Sequence, residues 1–144
     1  MGDELVTPKV AVNAFVFDGG GRILLARRAD NGLWCVPGGH VDLGETVAGA
    51  CLRELHEETG LKAEVVRLVG VYSDPAASLH HSKGPQWHTI RLSFLCRATG
   101  GTLSTSDETS EVQYFPLDAL PPLMTDHERR IRDAVGNDRE AVIA

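Results

Sequence analysis

This chain is poor in cysteine, in excess positive charge and in long apolar runs, and each shortage excludes something. Three of its 144 residues are cysteines, an odd number with no CxxC spacing. Cys35, Cys51 and Cys96 each lie in an apolar run, which reads as buried thiols of a reducing compartment rather than a disulfide framework. Cys35 and Cys96 sit within apolar strands with no helix N-terminus to activate them, which sets aside a cysteine-nucleophile hydrolase. The longest apolar stretch, residues 10–17, is interrupted by Asn13 and is far short of a membrane span. Residues 1–10 carry acids and no apolar core of a signal peptide. Val6 stands where a myristoylation motif wants Ser or Thr. A cytoplasmic protein with no membrane partner is the expectation. Lys and Arg total 14 against 20 Asp and Glu, a net charge of −6. That balance excludes a sequence-blind nucleic-acid binder and a polybasic membrane-surface protein. An anionic substrate would have to meet a local cluster of cations or a bound metal.

What is present is ordinary globular material, 42% hydrophobic and 24% charged. The length supports one domain, 1–144, with an ordered core over about residues 8–136. Residues 10–17 and 23–26 are apolar runs separated by Asp18-Gly19-Gly20-Gly21, which predicts a hairpin. Residues 33–37 read as a short strand, broken by Pro37-Gly38-Gly39. Residues 46–59 contain no proline and many good helix formers, so they predict a helix with Thr46 as N-cap and Gly60 as its stop. Ala48, Leu52 and Leu55 would pack it on a sheet. Residues 63–72 and 89–97 read as strands with a long loop, 73–88, between them. A tight turn at 99–101, a polar loop to Ser110 and a strand at 112–115 follow. Thr125-x-x-Glu128 reads as a capping box opening a helix to about Val135. Strands around a central helix with a second helix at the end make an α/β layered domain.

One segment carries the chemistry. Glu54, Glu57 and Glu58 fall at i, i+3 and i+4, so a helix stacks them within about 100° of one face. Two carboxylates about 6 Å apart repel by about 3 kcal/mol at an effective dielectric near 20, so the cluster needs a counter-ion or a proton. Three carboxylates facing one way suit a hard divalent cation that keeps some waters and leaves room for phosphates. Zinc would want His and Cys, and His56 and Cys51 project elsewhere. The local chemistry therefore points to Mg²⁺ or Mn²⁺.

From Gly39 the sequence reads GHVDLGETVAGACLRELHEETGL. This resembles the box of the Nudix hydrolases, with an allowed residue at every specified position of its 23 residues. Seven of those positions admit a single amino acid. At roughly 6% usage apiece, coincidence is on the order of one in several hundred million per window. The lead-in Gly32-Leu33-Trp34-x-x-Pro37-Gly38-Gly39, the strand from Gly21 to Arg28 and the segment 111–120 are also similar to the family. The resemblance implies an α/β/α sandwich whose mixed sheet carries the box helix on one face and a C-terminal helix on the other. It implies Glu54, Glu57 and Glu58 as metal-binding acids, with the Gly39 carbonyl as a further ligand. Arg53 would steady the acids, and Glu45 would support the same network. The reaction implied is hydrolysis of a nucleoside diphosphate linked to a second moiety, without nucleic acid or membrane. A later-loop carboxylate could serve as general base, with Glu111 favoured over Asp107 and Glu108. The resemblance also leaves a homodimer open.

Among other residues, Arg27 and Arg28 end a strand and could meet phosphates, but an adjacent pair faces opposite sides of it, so at most one of them is expected to be functional. Lys83 and Arg91 are comparable. His80, His81 and His88 lack the partners of a second metal site. Trp34 and Phe115 read as core, whereas Trp87 in the long loop could stack on a base. Pro75 lies 14 residues beyond the box, close to where relatives acting on ADP-ribose carry a proline. ADP-ribose or a nucleotide sugar is thus favoured. Nucleoside di- or triphosphates, dinucleoside polyphosphates and a non-catalytic nucleotide-sensing module stay open.

Overall fold

A computed structural model describes residues 7–73, 88–136 and 140–144. Ten elements follow one another: β1 (Lys9–Val16), β2 (Ile23–Arg28), β3 (Trp34–Cys35), β4 (Gly38–His40), α1 (Val47–Thr59), β5 (Leu61–Tyr72), β6 (Thr89–Gly101), β7 (Thr109–Phe115), α2 (His127–Val135) and β8 (Val142–Ile143). A mixed five-stranded sheet runs β4-β1-β6-β5-β8, and an antiparallel three-stranded sheet runs β3-β2-β7. No helix among the described residues is long and apolar enough to cross a membrane.

The residues of β1 explain the layering. Ala11 through Val16 are all buried, so both faces of the strand are covered. Val12, Ala14 and Val16 pack with Ala50, Cys51 and Leu55 of α1. Phe15 packs on the other side with Ile131 and Ala134 of α2. Burying a side chain as large as Phe15 stabilises by about 2–3 kcal/mol. The α/β/α sandwich, box helix on one face and C-terminal helix on the other, is the architecture found.

The hairpin expected between residues 10–17 and 23–26 does not form. β1 and β2 share a single bridge, Phe17 to Ile23, and then part into different sheets. Asp18 still makes the turn, accepting from the Gly20 and Arg22 amides at 3.0 and 2.9 Å. Both strands are apolar on both faces, and a two-stranded ribbon cannot cover them. Instead β6 takes β1 in parallel and β7 takes β2 antiparallel.

Three other expectations need correction. Residues 99–101 are not a turn but the end of β6, with Gly101 opposite Leu61. β5 begins as soon as α1 ends, so the ladder has a partner that far. Residues 33–37, read as one strand, form only the two-residue β3, and Gly38–His40 beyond the break pairs with β1. Thr125 does not cap α2: Asp126 holds the N-cap position in the left-handed region, φ 67°, with no side-chain cap.

Helix α1 begins and ends as its sequence predicts. Thr46 accepts from the Gly49 amide at 3.0 Å, and Gly60 leaves the helix at φ 81°, where a Cβ would be strained. Its fully buried stripe is Ala50, Cys51, Leu55 and Thr59, whereas Ala48 and Leu52 are only half-buried.

Candidate active site

The buried stripe of α1 decides which acids point inward. At about 100° per residue, Glu58 lies about 20° from Cys51, Glu54 about 60° and Glu57 about 120°. Accordingly the Glu54 side chain is 15% exposed and that of Glu57 is 57% exposed. Glu58 is half-buried and accepts from the Gly38 amide at 2.8 Å. Glu54 lies against the Gly39 backbone, where an added Cβ would sit 2.5 Å from its carboxyl carbon. β4 thus brings backbone against the inner two acids.

Arg53 gathers the rest. Its guanidinium reaches both oxygens of Glu45 at 2.7 and 2.8 Å, Glu54 at 3.1 Å, Glu57 at 3.2 Å and the His40 carbonyl at 3.2 Å. The hydrogen bond from Arg53 is the main reason that Glu45 titrates low, near 2. The inner acids behave oppositely. Burial pushes Glu54 up, against the pull of Arg53. Burial pushes Glu58 up to about 8, opposed by the Gly38 amide and reinforced by the charges of Glu54 and Glu108.

A cavity of about 970 Å³ opens beside Glu58 and Gly39. Arg27, Arg28, Arg91, Asp107 and Glu108 also line it, as do His127, Arg129 and Arg130. A bulge in the β2–β7 pairing falls between Arg27 and Arg28, with Ser110 of β7 as the extra residue. Both arginines line the cavity. Arg27 donates to the Gly32 carbonyl and to Glu111 at 2.9 and 2.8 Å. Arg28 forks onto Asp30 at 2.9 and 2.6 Å.

Of the sequence-selected residues, Glu58, Gly39, Arg27, Arg28 and Arg91 line this cavity, and Glu54, held by Arg53, lies against Gly39 beside it. Glu57 is the outward member of its triad. Glu111 is 52% exposed and ion-paired to Arg27, whereas the loop acids lining the cavity are Asp107 and Glu108. Trp87, Lys83, Pro75, His80 and His81 lie outside the described residues. His88 contacts the Ser73 carbonyl at 2.6 Å. Trp34 and Phe115 meet edge to face, 4.7 Å apart, in the core. Cys35 is held up to about 11 by burial, which outweighs Arg28 and Arg91.

Sequence reasoning missed His127 and Arg130. They share one buried face of α2 with Ile131 and Ala134. The helical spacing of that face was visible, but nothing in the run HERRIRD separates Arg130 from the exposed Arg129 and Arg132.

Among the described residues no group of three or more His, Cys, Asp or Glu is already gathered as a metal cage. Glu54 and Glu57 lean to Arg53, and Glu58 leans to Gly38. The chemistry of the donors nonetheless fits a hard divalent cation. Two carboxylates are kept from ionising easily by burial and mutual repulsion, the condition that an adjacent cation relieves.

The NUDIX domain profile matches residues 7–135. The chain belongs to the Nudix family. It is 40% identical over 129 residues to an ADP-ribose pyrophosphatase of Methanocaldococcus jannaschii, covering 88% of this chain and 72% of that one. The crystal structure of a UDP-X diphosphatase superposes with a TM-score of 0.78 at 27% identity, over 91% of this chain and 63% of that chain. An ADP-ribose pyrophosphatase from Streptococcus suis superposes with a TM-score of 0.74 at 30% identity, over 95% and 98%. The chain is a Nudix hydrolase, and Nudix hydrolases generally need a divalent metal.

Proposed function

We propose that this Nudix hydrolase cleaves the phosphoanhydride of a nucleoside diphosphate joined to a second group, with ADP-ribose or a nucleotide sugar as substrate and Mg²⁺ as the metal. The observation that carries the reading is the pairing of Glu58, half-buried and reluctant to ionise, with a large cavity whose other walls hold arginines. Acid and cation on facing walls suit a substrate that carries a metal-bridged diphosphate.

Glu54 and Glu58, with Glu57 at the rim and the Gly39 carbonyl, would hold the metal, which when bound neutralises charge on the diphosphate oxygens. Arg53 fixes the orientation of Glu54 and Glu57 through its hydrogen bonds, so the acids need not reorganise when substrate arrives. Arg28 would meet a phosphate oxygen in two-point fashion after exchanging Asp30 for it, and Arg27 would support it. For the proton of the attacking water, Glu108 now competes with Glu111. Glu108 lines the cavity and its charge reaches Glu54 and Glu58, while Glu111 is engaged by Arg27.

The test incubates the protein with Mg²⁺ or Mn²⁺ and a panel of ADP-ribose, nucleotide sugars, dinucleoside polyphosphates and nucleoside di- and triphosphates, and separates the products. Turnover of ADP-ribose or a nucleotide sugar to two monophosphates, abolished by Glu58→Gln, is expected. No turnover of any member would overturn the reading.

A further inference from the structure

The cavity has a second polar group of walls that the diphosphate chemistry leaves unused. Arg91 of β6, and His127 and Arg130 of α2, all line it. Arg130 is 7% exposed, and its Nε has no hydrogen-bond partner. Its guanidinium lies over the Tyr72 ring at 6.0 Å, and Tyr72 is tied by its hydroxyl to Asp133 at 2.7 Å. None of the ion pairs among the described residues includes Arg91 or Arg130. Asp126 is the acid whose charge acts on Arg130, and it makes no ion pair with it.

His127 completes the arrangement. The Val36 amide donates to its Nδ1 at 3.0 Å, so the neutral ring carries its proton on Nε2 and remains a donor there. Burial, then the charges of Arg130, Arg91 and Arg28, keep the ring neutral. Arg28 acts on both Glu58 and His127, and Arg91 acts on both His127 and Arg130.

Burial lowers both guanidiniums, and the charge of Arg91 opposes that of Arg130; this is costly because arginine does not readily escape by losing its proton. An anion between them removes the cost and satisfies the open Nε. We propose that Arg91, Arg130 and the Nε2–H of His127 bind a second anionic group of the substrate, a phosphomonoester or carboxylate carried on a sugar beyond the scissile diphosphate. This rests on the hydrolase reading above and narrows its substrate class, from any nucleoside diphosphate derivative to those bearing an extra acid.

The test uses two matched pairs that differ by that one group: ADP-ribose with ADP-ribose 1″-phosphate, and UDP-glucose with UDP-glucuronate. The first pair reports a phosphomonoester and the second a carboxylate. In one arm, kcat/KM is measured with Mg²⁺. In the other, equilibrium binding is measured by calorimetry in EDTA, so the result does not depend on turnover. The acidic member of at least one pair is expected to be preferred by about tenfold or more in both arms. That ratio should fall to about one in Arg91→Met and in Arg130→Met, with Arg91→Gln as a second variant if a methionine variant misfolds. Equal binding of both members of both pairs would overturn the proposal while leaving the hydrolase intact. Absence of turnover on every substrate would overturn the hydrolase reading instead, and the binding ratio would still decide the anion site.

Discussion

Arg53 and Glu45 meet at two points, Nε to Oε2 at 2.7 Å and Nη2 to Oε1 at 2.8 Å. That fork anchors the loop before α1 to the helix's second turn and leaves Nη1 to serve Glu54 and Glu57. Lysine keeps the charge but not the planar fork. Arg53→Lys is expected to lower kcat/KM by about 10- to 100-fold, while unfolding free energy changes by less than about 1 kcal/mol. Steady-state kinetics beside a urea titration would check it, and a variant as active as the wild type would remove Arg53 from the site.

Gly39 has a sharper constraint. A methyl group there would sit 2.5 Å from the Glu54 carboxyl carbon, so the carboxylate or β4 must move. Gly39→Ala should cost about 1–3 kcal/mol of stability and weaken metal binding by about 10- to 100-fold. Calorimetric titration with Mg²⁺ or Mn²⁺ reads the second effect directly.

Glu58 supplies a pH test. Burial raises it from 4.5 to about 8, so between those values the native state keeps a proton that the unfolded chain gives up. Its contribution to stability is whole below pH 4.5 and is lost as pH rises toward 8. In EDTA, unfolding free energy should fall across that window by up to about 1.4 kcal/mol per pH unit. Glu58→Gln should flatten the decline. Added Mg²⁺, which favours the ionised form, should offset it.

His127 acts with the opposite sign at lower pH. Burial and the charges of Arg130, Arg91 and Arg28 hold it well below 6.5, so the unfolded chain binds the proton first. Stability should drop as pH falls below about 6.5. A His127→Asn variant should show a shallower acid limb in thermal denaturation followed from pH 7 to pH 5.

The two threonines read as N-caps should separate cleanly. Thr46→Ala removes a hydrogen bond to the Gly49 amide at 3.0 Å and should cost about 1 kcal/mol. Thr125→Ala removes no cap, since Asp126 holds that position without a side-chain bond, and should change stability by less than about 0.5 kcal/mol. Denaturant midpoints of the two variants decide this.

Local rules sufficed wherever the controlling interaction was local. Thr46 and Gly60 bound α1 because capping involves groups within a turn. Glu54, Glu57 and Glu58 fall on one side of the helix because 3.6 residues make a turn, and the whole metal-site reading lies inside 23 contiguous residues. The sandwich itself was legible through the likeness of that segment to a known family.

What tertiary structure decided was partnership at a distance. Residues 10–17 and 23–26 look like a hairpin until both faces of each strand need cover, and then the sheets separate them. The three acids of α1 are equivalent in sequence, but packing of Cys51 and Leu55 turns Glu58 inward and leaves Glu57 outside. Arg91 and Arg130 stand 39 residues apart in sequence and line one cavity only because the fold brings β6 and α2 to it. Helix periodicity and caps are short-range properties that a sequence carries on its face. Which acid loses its water, and which arginine loses its counter-ion, depends on the elements that fold over it.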